Sequence, residues 1–150
     1  MNLYDPNAVE DGRVVVETGA EATGGRRTGF IEIDGNFVLS WDYYCGTASA
    51  VGTGALSLVV CFYDENKTFI SGLDYHTIAP LKSVLFDDVK RYYWAYTAPV
   101  GAKYIRFSYG STYELTGLFQ LELGDAPTAY EEYRQNSHIE IKEEAIPTSF

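Results

Sequence analysis

Apolar and polar residues alternate most clearly between Lys103 and Leu123, in two runs separated by a loop. The apolar positions of these runs are Ile105, Phe107, Tyr109, Phe119, Leu121 and Leu123. A period of two is typical of a strand that buries one face and exposes the other to water. We therefore predict two strands here, with Arg106, Gln120 and Glu122 on exposed sheet surfaces.

The same period recurs between Phe37 and Tyr44, where Trp41 shares one face with other apolar residues. The opposite face carries Ser40 and Asp42, so we place the Trp41 face inside the protein. Further strands are predicted at Arg13–Glu17, Phe30–Ile33, Leu56–Tyr63, Thr68–Ser71 and Arg91–Thr97, with a glycine-containing loop at Thr18–Thr28. Turn-forming residues separate these segments, and no segment has the period of a helix of two turns. About eight or nine short strands in this arrangement indicate an all-β fold, either a β-sandwich or a barrel.

Length and charge narrow the function classes. The chain has 150 residues, which corresponds to one domain, and its 46% hydrophobic content excludes gross disorder. A net charge of −10 argues against nucleic acid or an anionic membrane surface as a partner. No apolar run is long enough for membrane insertion, and the first residues do not resemble a signal peptide. The 13 tyrosines outnumber the 8 phenylalanines, and tyrosine suits both sheets and binding faces.

Catalytic and metal-binding patterns are weak. His76 and His138 lie in an irregular segment and a tail, and neither is flanked by a nucleophile motif. Acidic side chains on the wet face of a strand are usually only solvated, so we predict that the protein is not an enzyme. Cys45 and Cys61 fit no metal-ligand spacing. A simple hairpin would place them opposite each other, a chain crossing between sheets would separate them, and we expect both to behave as small apolar residues.

Three blocks in the second half of the chain carry a family resemblance: FYDENKTFISG (62–72), TAPVGAKYIRFS (97–108) and FQLELGDAPTAYEEY (119–133). Their order and spacing resemble the jelly-roll carbohydrate-binding modules of phage tail proteins, which are also attached to secreted bacterial glycan-degrading enzymes. NLYDPN (2–7) and TGFIEIDGNFVLSWDYY (28–44) are similar to the beginning of that group. The resemblance predicts a module over residues 1–133. Residues 134–150 are then a linker or the start of a neighbouring module.

This resemblance implies an antiparallel jelly-roll sandwich in which Phe37–Tyr44 and Lys103–Tyr109 are partners in one sheet, while Leu118–Leu123 joins the other. Sugars pack on aromatic faces and are oriented by planar donors such as arginine. The candidate ligand-binding residues are then Arg106, Tyr104, Asp42, Tyr44, Tyr93 and Trp94. Two alternatives stay open: Arg106 with Asp42 as a surface ion pair only, and Trp94 as a core residue that leaves Tyr93 as the exposed platform.

The expected function is a non-catalytic glycan-binding module of a phage tail or another surface-recognition protein. Its partner would be a polysaccharide or cell-surface glycan, preferably neutral because the protein is acidic, and its location extracellular or on the virion. The alternatives are a structural spacer that forms a homo-oligomer within a tail assembly, and an accessory module of a glycan hydrolase. We expect no cofactor, although such sandwiches often carry a structural calcium ion, for which oxygen ligands are available at Asp5, Asp11, Glu17, Glu122 and Asp125.

Overall fold

The computed structural model describes residues 1–42, 58–78, 83–86, 91–110 and 119–134, with only the backbone of Asp42, Tyr75, His76 and residues 83–86. The strands in this part of the chain are β1 (Glu10–Val14), β2 (Glu21–Arg27), β3 (Ile31–Glu32), β4 (Asn36–Asp42), β5 (Val59–Tyr63), β6 (Phe69–Asp74), β7 (Ser83–Phe86), β8 (Arg91–Thr97), β9 (Tyr104–Tyr109) and β10 (Gln120–Leu123). Two short helical segments accompany them, a 3-10 turn at Pro6–Ala8 and α1 at Tyr75–Ile78.

The strands form two antiparallel sheets. The large sheet has the order β1-β2-β9-β5-β6, with β3 also paired to β9, and the small sheet has the order β10-β4-β8-β7. Their inner faces pack together, as where the ring centroids of Phe37 and Phe62 lie 5.9 Å apart. The predicted all-β antiparallel sandwich is therefore confirmed. The jelly-roll connectivity stays a prediction.

The predicted pairing of Phe37–Tyr44 with Lys103–Tyr109 is wrong. Strand β4 instead pairs with β10 and β8, so that Ser40 faces Gln120 on one side and Tyr93 on the other. Strand β9 belongs to the large sheet, between β5 and the β2 and β3 strands. Alternation shows which face of a strand is buried, but it does not show which strand lies beside it.

Strand β2 lies where a loop was predicted. Gly24 and Gly25 suggested a break because glycine weakens isolated strands. Strand β2 pairs with β1 near its two ends, at residues 21–22 and 26–27, and the register shifts between them. Arg26 and Arg27 also pair with β9. The two glycines therefore lie in an irregular stretch within the strand and do not end it. The β1–β2 hairpin is thus an integral part of the large sheet.

The core lies between the two sheets. Its fully buried large side chains include Phe37, Leu39, Trp41, Phe62, Trp94, Ile105, Phe107, Phe119 and Leu121. Trp94 is 1% exposed, and its ring lies 5.5 Å from that of Phe37. Trp94 is therefore a core residue, and its candidacy as an exposed ligand platform is wrong.

A second layer covers the outer face of the large sheet. Residues 14–19 cross this face, where the amide of Val14 donates to Ser108 Oγ at 3.2 Å and the Tyr63 hydroxyl donates to the Gly19 carbonyl at 2.8 Å. Val14, Cys61 and Tyr63 form a small buried cluster beneath the segment. On the same face of β9, Ser108 and Arg106 are 1% and 4% exposed. The prediction that Arg106 lies on an exposed face is therefore wrong.

The small sheet also has a covered outer face. Glu131 donates its amide to Gln120 Oε1 at 2.7 Å, and the Thr128 hydroxyl donates to Glu122 Oε1 at 2.7 Å. Gln120 and Glu122 are only 0% and 4% exposed, so their predicted exposure is wrong as well. Gln120 and Glu122 form hydrogen bonds with residues 128–131. A period-two pattern marks both positions as polar, but it does not show whether they contact water or another part of the protein.

Some predictions concern residues that the structure does not describe, namely Tyr44, Cys45 and residues 135–150. Of the two cysteines predicted to behave as small apolar residues, Cys61 is a free, buried thiol. Among the described side chains, no three His, Cys, Asp or Glu residues group closely enough to hold a metal ion, and structural calcium stays a prediction. No helix within the same ranges is long and apolar enough to cross a membrane.

Burial of Cys61 makes stability depend on alkaline pH. Removal from solvent raises the pKa of the Cys61 thiol from its ordinary 9.0 to about 11, although Tyr63 and Arg106 oppose the shift. The unfolded chain therefore releases this proton near pH 9, while the folded chain retains it. The corresponding stabilisation is complete below the unfolded pKa, and it is lost as the pH rises through the folded pKa.

We expect this loss to approach about 2–3 kcal/mol above the folded pKa. Urea denaturation of the wild type and of Cys61→Ala, at about pH 8 and about pH 10.5, measures it. The alanine variant lacks the titrating thiol, so its stability should fall less over the same interval. Equal losses in the two proteins would contradict the prediction.

Candidate functional site

Arg106 lies at the floor of the outer face of the large sheet. Its side chain is 5% exposed, and its Nη1 lies 3.1 Å from Glu21 Oε2, while its Nη2 lies 3.9 Å from Glu10 Oε2. Its Nε donates to the Thr28 carbonyl at 3.0 Å. The donors that were predicted to orient a sugar are thus occupied within the protein.

Arg27 completes a cluster of four charges with Arg106 and the two glutamates. Its Nη2 lies 3.1 Å from Glu10 Oε1 and 3.2 Å from Glu21 Oε1, so each carboxylate contacts both guanidinium groups. Gly12 has a φ of 114°, and a Cβ there would collide with the Arg27 guanidinium. Glycine therefore lets Arg27 lie across β1, and the cluster fastens the β1–β2 hairpin to β9.

Phe30 stands over this cluster and reaches the surface. The guanidinium carbon of Arg106 lies 4.5 Å from the centroid of the Phe30 ring, which is a cation–π geometry. Tyr63 and Tyr104 meet the same ring edge-on, at centroid distances of 4.8 Å and 6.0 Å. Phe30 is nevertheless 36% exposed. We call Phe30 and the half-buried Tyr104 the aromatic patch.

The β5–β6 hairpin brings a lysine to the aromatic patch. Tyr63, at the end of β5, pairs with Tyr104 of β9, so the following turn lies beside the two rings. Lys67 Nζ is 5.1 Å from the Phe30 centroid and 5.4 Å from the Tyr104 centroid. No carboxylate of the described residues lies within ion-pair distance of this ammonium group.

The backbone of Lys67 is held in an unusual conformation. Its φ of 64° is the only positive value among the described residues other than glycine. Asp64 organises the turn, because its Oδ1 accepts the amides of Asn66 at 2.8 Å and Thr68 at 2.9 Å. Glycine is usual at such left-handed positions of hairpin loops.

Two magnitudes can be compared at Lys67. The left-handed conformation costs a residue with a side chain about 1–2 kcal/mol, whereas an exposed cation–π contact contributes about 0.5–1 kcal/mol. Lys67 contacts two rings, so the two contacts together contribute about 1–2 kcal/mol and offset this cost. The ring contacts therefore hold the lysine in place in spite of its backbone conformation.

A surface depression of about 310 Å³ adjoins the aromatic patch. Phe30 forms part of its wall, and Leu3, Asp5 and Tyr133 line the remainder together with residues 28–32. This volume is at the lower end of the range of ligand pockets. A single sugar unit that packs on the Phe30 ring could therefore also extend into this depression.

The predicted ligand-binding residues that the structure describes do not form one site. Tyr104 contributes to the aromatic patch, and Arg106 lies underneath it rather than at the surface. Asp42 is in the small sheet, where its backbone is paired with Arg91, so it lies in a different sheet from Tyr104. Half-buried Tyr93 is also in the small sheet.

Phe30 and Lys67 were not predicted as site residues. Phe30 was assigned to the start of a predicted strand, whereas the strand observed there is Ile31–Glu32. Lys67 was assigned to a turn, which is correct. Phe30 and Lys67 come together because Tyr63 of β5 pairs with Tyr104 of β9. This pairing joins two separate strands, so no local sequence pattern predicts it.

No family model matches the chain, and neither a curated protein nor a solved structure matches it. The chemistry of the aromatic patch must therefore be inferred from its own residues.

Proposed function

We propose that the protein is a non-catalytic glycan-binding module and that the aromatic patch with Lys67 is its binding surface. The observation that supports this most is the exposed ring of Phe30. Lys67 and Arg106 both make cation–π contacts with this ring, and the surface depression lies beside it. Sugar rings present C–H faces that pack on aromatic rings. Their hydroxyls and charged substituents require polar partners such as Lys67.

The orientation of Phe30 favours binding at low entropic cost. Arg106 supports the ring from below, and Tyr63 and Tyr104 contact it at the sides. A side chain that is already fixed loses little freedom when a ligand arrives. Arg106 then acts as a positioning residue, in contrast to the direct sugar contact expected from the sequence.

The biological setting follows from the resemblance of residues 2–133 to the jelly-roll modules of phage tail proteins. In that setting the partner is a polysaccharide or cell-surface glycan, and the protein acts outside a cell or on a virion. The confirmed sandwich is compatible with this assignment.

Phe30→Ala is expected to weaken glycan binding by about tenfold or more, because burying a phenylalanine ring contributes about 1.5–3 kcal/mol. A glycan array would identify a ligand, and calorimetric titration would then compare the variants. Leu123→Ala is the matched control, since Leu123 is also an exposed apolar residue, at 51%, but lies on β10 of the small sheet.

The control should bind as the wild type does. Equal affinity of Phe30→Ala and wild type would exclude the aromatic patch as the binding surface. If no glycan in a broad panel binds and sedimentation shows a stable oligomer, the glycan-binding proposal fails, and the spacer alternative is favoured.

A further inference from the structure

We infer that the aromatic patch binds a sugar unit that carries a carboxylate, such as a hexuronate, and that Lys67 is the ionic partner of this carboxylate. The inference rests on the proposed glycan-binding function and adds the chemical class of the ligand. Its structural basis is a cation that lacks a counter-ion among the described residues, beside an exposed ring.

Lys67 differs from the neighbouring cations, because each of those cations is paired with a carboxylate. Arg27 and Arg106 share Glu10 and Glu21, and Lys103 Nζ lies 2.8 Å from Glu32 Oε2. Each of these charges is therefore compensated within the protein. The ammonium group of Lys67 contacts only the faces of two rings, as far as the described residues extend. Its three donors are suited to the acceptor oxygens of a ligand carboxylate.

The hairpin loop holds Lys67 beside the aromatic patch. Asp64 fixes the turn, because its Oδ1 accepts the amides of Asn66 and Thr68, and the two ring contacts hold the ammonium group in place. A cation that is already positioned loses little freedom when it binds the carboxylate of a ligand.

The acidic groups of the chain limit where the carboxylate can lie. Distant charges that contribute to the net charge of −10 are screened beyond about 8 Å at about 0.15 M ionic strength. Asp5 and Glu32 are closer, since both line the depression beside Phe30, whereas neither Lys67 nor Tyr104 lines it. The inference therefore places the carboxylate against Lys67 and not in that depression.

The test compares the full chain with uronate-containing oligosaccharides and with their carboxyl-reduced counterparts, in which a neutral hydroxymethyl group replaces each carboxylate. Calorimetric titration should show binding about tenfold or more weaker for the reduced sugars, because a charge-assisted hydrogen bond is lost. Lys67→Gly should weaken uronate binding by a similar factor. It should leave affinity for the reduced sugars unchanged.

The melting temperature separates this effect from a folding defect. Lys67→Gly relieves the strained backbone, so its melting temperature should equal or exceed that of the wild type. Arg13→Gln is the control, since it removes one positive charge from an exposed residue of β1 and should leave uronate affinity within about twofold. A variant that melts no earlier than the wild type but binds less tightly cannot be explained by a purely structural role of Lys67.

The other outcomes overturn the inference in distinguishable ways. If uronates and reduced sugars bind equally well, and Lys67→Gly changes neither affinity, the carboxylate preference is wrong while glycan binding stands. If Arg13→Gln weakens uronate binding as much as Lys67→Gly does, the effect is long-range and Lys67 is not the partner. If no oligosaccharide binds, both the inference and the proposed function fail.

Discussion

Arg106→Ala is expected to lower the free energy of unfolding by about 2–4 kcal/mol. The substitution removes a guanidinium group that is 5% exposed and leaves the Thr28 carbonyl without its donor. It also opens a space beneath Phe30. The effect should be smaller than for a fully buried ion pair, because Glu10 and Glu21 are about half exposed and water can solvate them once Arg106 is gone.

Urea denaturation at neutral pH would measure this loss, with Lys103→Ala as the control. Lys103 also belongs to an ion pair, with Glu32, but both side chains are largely exposed, at 46% and 64%. Exposed pairs of this kind contribute no more than about 1 kcal/mol. If Arg106→Ala lost less than about 0.5 kcal/mol, as surface substitutions usually do, the guanidinium would have to be solvated and the original prediction of an exposed Arg106 would stand.

Several strands and their inner faces were predicted well, although the strand predicted at Arg13–Glu17 is β1 at Glu10–Val14 and β2 and β7 were missed. Arg91–Thr97 has the predicted bounds, and Lys103–Tyr109 differs from β9 by one residue. Ile105 and Phe107 are fully buried, as their alternation indicated. Trp94 packs in the core on the same side of β8 as half-buried Tyr92 and Tyr96. These predictions succeed because burial of large apolar side chains imposes a local period on the chain.

The outer faces could not be predicted in the same way. Arg106, Gln120 and Glu122 are polar residues at alternating positions, which normally indicates contact with water. Gln120 and Glu122 are buried because residues 124–134 cover the small sheet. Arg106 is buried by its contacts with Phe30, the Thr28 carbonyl and the two glutamates of the charge cluster. Such contacts between separate segments of the chain leave no periodic signal.

The candidate site was predicted only in part, for a related reason. Tyr104 was identified from its strand, and it does belong to the aromatic patch. Phe30 and Lys67 reach it from other segments, through the β3–β9 and β5–β9 pairings. A single sequence shows which segments are strands more clearly than it shows which strands are neighbours. A site formed by several strands can be predicted only when the neighbours are known.

Gly72→Ala is expected to destabilise the protein by about 2–3 kcal/mol, in the upper part of the range for overpacking. A Cβ at this position would collide with the Val16 carbonyl oxygen and would lie 3.2 Å from Cys61 Sγ. The obstacle is backbone rather than the end of a flexible side chain, so residues 14–19 would have to move outward. This movement would uncover the Cys61 thiol.

Urea denaturation and the rate of thiol labelling, both in a Cys45→Ser background, would test this expectation. Gly72→Ala should be less stable and should react faster at Cys61. Gly29→Ala is the control, because a Cβ there meets nothing within 4 Å and its φ does not require glycine. It should be as stable as the parent or slightly more stable, by no more than about 1 kcal/mol. If both variants kept the parent's stability and slow labelling, residues 14–19 would not be packed tightly on β6 and over Cys61.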